Sequence, residues 1–312
     1  MIHFHNGDVV MLLAKRSGIP GEHIAFRESL VTGPVVPGEA WIETRARALA
    51  EAHGVDLLRV RTELLEQEQA LDAAAAKGEE LVLWFEHDLF CLIHLVYLLQ
   101  RLRGARLSLV WCPEPLAHND PRELYLLFES RAAVTPMMTD VAAEVWRAYT
   151  SDDPLALNRF IERDTPDFPF LRDGLTLHGS RFPSTANGLG EIDRRSLTLL
   201  TAGAMDFVTL FPQVDPNPPR FGFGDGEVLR HLRAIAWCAV PLVTIVESPD
   251  TQPPKALLTI TPAGENVVHG AVDALAVNDP DLWLGGTHLT KETLWRWDAN
   301  ARRIVPSPSA AS

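Results

Sequence analysis

The most uniform apolar run in the chain is Leu81-Val82-Leu83-Trp84-Phe85, which follows Glu80 and is cut off by Glu86-His87-Asp88. Such a run predicts a strand covered on both faces, at the centre of a parallel sheet. Leu89 to Arg103 then predicts an apolar helix, and Leu107 to Trp111 the next strand, stopped by Cys112-Pro113. Upstream, Ile2 to His5 predicts a short strand ended by Asn6-Gly7-Asp8, and Val9 to Arg16 a helix ending at Gly18. His23 to Phe26 predicts a second strand that runs into Arg27-Glu28 and a loop with Gly33-Pro34 and Pro37-Gly38. Ala40 to His53 and Asp56 to Lys77 have helical spacing. Strands alternating with helices imply an α/β unit with a mostly parallel, Rossmann-like sheet and flanking helices, over residues 1–120.

Residues 121–172 read as a helical connector, with amphipathic segments Arg122 to Ser130, Met138 to Tyr149 and Pro154 to Arg163 and a linker around Pro166 and Pro169. The pattern then changes. Glu191 to Gly203 predicts a helix, Asp206 to Phe211 a short apolar segment, and Asp225 caps a helix to about Ala236. Leu242 to Glu247 and Ala256 to Thr261 predict two strands joined by a polar turn with Ser248, Asp250 and Pro253-Pro254. Pro262 opens a last helix, Ala263 to Ala274. This order predicts a smaller winged-helix-like α+β domain over 173–305, with a frayed tail from Pro306 to Ser312.

Composition narrows the classes. A chain of 312 residues with 46% hydrophobic and 22% charged residues is ordinary globular material. Its formal charge of −13 argues against a protein that coats nucleic acid or an anionic membrane. The three cysteines, Cys91, Cys112 and Cys238, show no CxxC spacing and read as core thiols of a reduced, cytoplasmic protein. No leader is evident, and the longest apolar stretch, Leu89 to Leu99, is too short to span a bilayer.

In an open α/β sheet, ligands bind beyond the carboxyl ends of the strands. Three strand ends here carry polar groups: His5-Asn6-Gly7-Asp8, Arg27-Glu28 and Glu86-His87-Asp88. Glu86, His87 and Asp8 are the candidate catalytic residues, as an acid–base set. His5, Asn6, Arg27, Glu28 and Asp88 are the candidate substrate-binding residues, with Arg27 as an anion clamp. Asp8, Glu86 and Asp88 would suit a divalent cation. Alternate residues after the strand should point to opposite faces, Glu86 and Asp88 one way and His87 the other. The plainer reading makes Asp8 and Asp88 helix N-caps and Glu86 and His87 a buried ion pair. His94, on an apolar helix, reads as a satisfied core histidine. Neither GxGxxG nor GxxxxGK[ST] follows the first strand, so NAD and P-loop nucleotide sites are disfavoured.

Two later stretches stand out: Arg181-Phe182-Pro183-Ser184 with Asn187-Gly188-Leu189-Gly190, and Trp283-Leu284-Gly285-Gly286-Thr287-His288 with Trp295-Arg296-Trp297. Arg181, Asn187 and His288 are secondary site candidates, while the tryptophans read as locking the C-terminal segment onto the body. A DNA-reading helix needs exposed cations, yet the helix after Asp225 offers only Arg230, His231 and Arg233. Residues 179–312 hold 11 basic and 14 acidic side chains, which disfavours DNA as a partner.

The segments His5-Asn6-Gly7-Asp8, Arg27-Glu28…Gly33-Pro34 and Leu83-Trp84-Phe85-Glu86-His87-Asp88-Leu89, with the two later stretches, resemble the bacterial "domain of unknown function 1835" family. The resemblance implies a cytosolic protein with an α/β N-terminal domain and carries over no activity. Three readings follow from the residues. One is a small-molecule hydrolase or group-transfer enzyme at the strand ends. Another is a ligand-sensing regulator whose C-terminal module contacts DNA or protein. The third is a noncatalytic interaction protein whose polar strand ends are buried and internally satisfied.

Overall fold

The structure, a computed structural model, describes residues 1–216, 218, 220–248 and 255–307. It is a mixed α/β architecture: a multi-strand N-terminal sheet flanked by helices, followed by smaller β-containing segments. The sheet is built from β1 (Ile2–Asn6), β2 (Glu22–Phe26), β3 (Leu81–Glu86), β4 (Leu107–Cys112) and β5 (Ala132–Ala133), in the order β2-β1-β3-β4-β5. β2, β1, β3 and β4 are parallel, and only the two-residue β5 is antiparallel. Strand order reverses between β1 and β3, the position at which open α/β sheets commonly take ligands.

The uniform run of β3 is explained by its position, since every residue from Leu81 to Phe85 is fully buried. Alternation sends Val82 and Trp84 to one face, under α1 (Asp8–Arg16) and α5 (Pro121–Glu129). Leu81, Leu83 and Phe85 face the other way, onto α4 (Leu89–Arg101) and the main core. The helices α2 (Trp41–His53) and α3 (Leu57–Ala76) connect β2 to β3.

The helical stretch holds α6 (Pro136–Tyr149), a 3-10 turn at Pro154–Leu157, α7 (Asn158–Glu162) and α8 (Leu171–Gly179). The expected linker around Pro166 and Pro169 is packed, with Phe168 buried in the main core. Next come α9 (Glu191–Leu200), β6 (Met205–Asp206), α10 (Phe207–Val214), α11 (Asp225–Ala236), β7 (Val243–Ser248) and β8 (Lys255–Ile260), with the strands ordered β6-β8-β7 and all antiparallel. The turn containing Asp250 and Pro253-Pro254 lies outside the described residues, as does the tail beyond Ser307. The helix predicted to reach Ala274 stops early: α12 covers Pro262–Val268 and α13 only Ala274–Val277. Gly270, at φ 73°, separates them.

Two hairpins close the described chain, β9 (Leu282–Leu284) with β10 (Thr287–Leu289), and β11 (Trp295–Asp298) with β12 (Arg303–Pro306). As expected of the tryptophans, Trp297 is buried and packs on Gly179 so closely that a Cβ there would fall 2.5 Å from its ring. Gly285 and Gly286 lie flat against the backbone of Tyr149 and Thr150, and Gly285 accepts a hydrogen bond from Val35 N–H.

Candidate functional site at the strand ends

The polar strand ends divide into five places, each with its own partners. At the end of β3, Asp88 caps α4 by accepting from Cys91 N–H at 2.7 Å, so the capping reading holds for this residue. Its carboxyl is sealed by the segment around Gly222, where a Cβ would lie 2.5 Å from Asp88 Cγ. Leu89 and Phe90 N–H donate to the carbonyls of Arg220 and Phe221, which ties that segment to α4. Burial, with Glu86 and Asp215 nearby, pushes the Asp88 carboxyl up to about 8. Glu86 is half-buried and accepts from Leu116 N–H at 2.9 Å, and burial raises its pKa too. Asn6, from β1, donates to Cys91 Sγ at 2.9 Å and accepts from His94 Nδ1 at 2.8 Å. His94 Nε2 in turn accepts from Leu30 N–H, so this core histidine is fully partnered and neutral, its pKa lowered by burial to about 3.

Glu86, Asp88 and Cys91 place ligand-competent atoms within 4.8 Å of one another, so a His/Asp/Glu/Cys cluster with metal or catalytic capacity exists here. Its membership differs from the expected Asp8, Glu86 and Asp88. Asp8 is instead held by Arg27 in a two-pronged ion pair (2.9 and 2.5 Å), on the exposed rim between β1 and β2. The Arg27 hydrogen bond lowers the Asp8 pKa. Nor is Asp8 a cap; Gly7, at φ 87°, holds that position.

His87 points away from Glu86, as the alternation of strand residues requires. It stacks on Phe170 (5.2 Å, 14°), meets Trp111 edge-on (4.7 Å) and lines a separate cavity of about 350 Å³ beside β4 and β5. Burial lowers its pKa. The expected buried Glu86–His87 ion pair is not formed. Glu86, His87 and Asp8 make no hydrogen bond to one another, so the acid–base set is not assembled in this conformation.

His5 is fully buried on the sheet face rather than at its rim. His3 and His5 share that face by alternation, and register brings His23 beside His3. The three supply ligand atoms within 4.8 Å, but their rings lie within 18° of parallel. Imidazole lone pairs lie in the ring plane, so parallel rings do not aim at one metal ion. They form a hydrogen-bond relay instead. His23 Nε2 donates to Ile19 O, which leaves its Nδ1 to accept from His5 Nε2 at 2.9 Å. His3 Nε2 donates to Pro20 O, and its Nδ1 accepts from Trp84 Nε1. All three are therefore neutral, and His5 Nδ1 has no partner. Burial lowers His5 to about 2 and His3 to about 4.

Glu28 enters the best-satisfied polar centre. Arg45 of α2, with no exposed surface, donates to Glu28 Oε1 (2.7 Å), Ser29 O (2.9 Å), Thr32 O and Pro34 O (both 2.8 Å). The loop after β2 is thus wrapped around one guanidinium. Thr32 also donates to Glu227 of α11 at 2.7 Å, and Arg181 donates to Val31 O at 2.7 Å. Arg181 is buried against Phe223, and burial lowers its pKa. Asn187 is structural, donating to Val267 O at 3.2 Å, and His288 stacks on Trp283 and pairs with Asp281, far along the chain from the sheet.

A cavity of about 680 Å³ lies between the end of β2, the inner side of α3, Phe90 and the first turn of α11. Arg27 and Glu28 line it directly, whereas Glu86, His87 and Asp88 do not. Arg45, Cys91, Gln67 and Glu227 are the residues that sequence reasoning missed. The histidine cluster was missed too, although the His3-x-His5 spacing on a strand, which puts both rings on one face, is a signal that could have found it. No helix among the described residues is long and apolar enough to cross a membrane. No family model and no curated protein matches the chain.

Proposed function

We propose that the chain is a small-molecule receptor whose ligand occupies the 680 Å³ cavity and braces the N-terminal sheet against α11. One observation carries this reading: the cavity is walled by the carboxyl end of a parallel strand on one side and by the first turn of α11 on the other. Its volume suits a drug-sized molecule, and its walls mix apolar and polar groups as ligand sites do. In this reading the N-terminal unit is Rossmann-like, supported by the order reversal at β1 and β3. The segment from α9 to β8 is winged-helix-like, supported by three helices and a hairpin that β6 joins as a third strand. DNA remains the disfavoured output. Arg230 and Arg233 are engaged by Glu227 and Glu247, and the start of α11 faces the cavity. A cytoplasmic regulator that answers ligand by changing a protein contact fits these features.

The enzymatic reading keeps one specific support, the Glu86–Asp88–Cys91 cluster, in which Asp88 stays protonated at neutral pH. Hydrolysis or group transfer there requires the Gly222 segment to lift away.

The receptor reading is tested by thermal-shift screening of the intact protein against small metabolites, beside an Ala70→Phe variant that fills the cavity from α3. A ligand at a hundred times its Kd should stabilise the wild type by about 2.7 kcal/mol and the filled variant far less. Hits that protect both proteins equally would defeat the proposal. Retained hits but lost turnover in Glu86→Gln would favour the enzyme instead.

A further inference from the structure

We infer that the cavity beside β2 selects an organic cation, an ammonium group carried on an apolar body. This rests on the receptor reading above and names its ligand class. Five acids line the cavity, Glu28, Glu63, Glu66, Asp225 and Glu227, against one arginine, Arg27. Most of these charges are already answered. Arg27 is paired with Asp8, Glu28 with Arg45, Glu63 with Arg59 and Glu227 with Arg230. Glu66 and Asp225 remain, and neither joins an ion pair among the described residues.

The first turn of α11 would ordinarily attract an anion through its free N–H groups. Here the chain has filled that role itself. Asp225 and Glu227 are the acids of that turn, and Asp225 accepts the Gly226 N–H at 2.7 Å. The usual source of anion affinity is thus occupied, and the nearest guanidinium is committed to Asp8. An incoming carboxylate or phosphate meets uncompensated negative charge, and an ammonium meets two unpaired carboxylates. Ile24, Val60, Leu64 and Phe90 supply the apolar wall.

Three probes sharing one body test the class: phenethylammonium, 2-phenylethanol and phenylacetate, titrated calorimetrically into the intact protein at low salt. The ammonium should bind about tenfold or more tightly than the alcohol and the carboxylate weakest, with the preference shrinking as salt rises. A Glu66→Gln/Asp225→Asn variant, changed only at exposed positions, should bind the alcohol as before and lose the ammonium preference. Alcohol or carboxylate binding as tight as the ammonium, sensitive to Ala70→Phe, would overturn the cation assignment and leave the receptor reading standing. Failure of all three probes to bind, or binding indifferent to Ala70→Phe, would overturn both.

Discussion

Arg45→Ala should be among the most damaging single substitutions in the protein, although the residue sits in a helix whose sequence reads as surface. Arg45 is entirely buried, and its partner Glu28 has a side chain only 3% exposed. Removing the guanidinium strands that carboxylate without a counter-charge and leaves the carbonyls of Thr32 and Pro34 without their donor, while Ser29 O keeps only the Thr32 N–H. Breaking a buried pair from one side costs about 3–5 kcal/mol, a large share of the 5–15 kcal/mol typical of a folded domain. Urea unfolding followed by tryptophan fluorescence reads the loss as a lower midpoint at unchanged slope. Glu28→Gln combined with Arg45→Met should recover part of it, since the double variant no longer buries a lone charge; a coupling of about 1–3 kcal/mol is expected. The exposed Asp8–Arg27 pair is the internal control: Asp8→Ala should cost under about 1 kcal/mol. An Arg45→Ala protein within 1 kcal/mol of wild type, or additive losses in the double variant, would refute the reasoning.

Three further outcomes follow from the same contacts. Stability should fall as pH drops below about 6.5, because His3, His5 and His94 refuse protons that the unfolded chain accepts; at pH 5 the buried His5 and His94 should each cost roughly 2 kcal/mol, read as a falling urea midpoint. Asp88 acts in the opposite sense, since its folded carboxyl keeps a proton between pH 3.8 and about 8 that the unfolded chain releases, so its contribution grows as pH falls through that window. Asp88→Asn keeps the helix cap and should be more stable than wild type at pH 8 while losing more on acidification; parallel pH profiles would remove the assigned protonation. Gly222→Ala should destabilise by more than about 1 kcal/mol, because φ is +67° and the new methyl meets Asp88 at 2.5 Å; an unchanged melting temperature would show that the segment is not pressed onto α4.

Much of the architecture was legible along the chain because burial imposes periodicity. The run at Leu81 to Phe85 announced a central strand, and β7 and β8 fell within a residue of their expected bounds. The site was legible only in pieces. Asp88 capped its helix as expected, and His87 turned away from Glu86 as strand alternation demands. What failed was the assumption that polar groups after three strands share one cavity. His5 belongs to the strand itself, so alternation commits it to the sheet face, and Asp8 finds Arg27 before it can meet the acids of β3. Arg45 and Glu227 escaped notice because helical arginines and glutamates usually face water, and only tertiary packing turns these two inward. The cover over Asp88 comes from residues more than a hundred positions downstream, which no local pattern connects to β3.

The closure of the loop after β2 by Gly285 has a consequence for how the molecule is made. Val35 reaches its carbonyl partner only once Gly285 has been synthesised, and Ile304 completes its two bonds to Asn158 later still. During translation, then, the Val35 N–H waits beside a finished sheet without its acceptor. The nascent chain spends that interval with this loop unsecured, and the arrival of the Gly285 hairpin, rather than completion of the sheet, is the moment at which the loop is fixed.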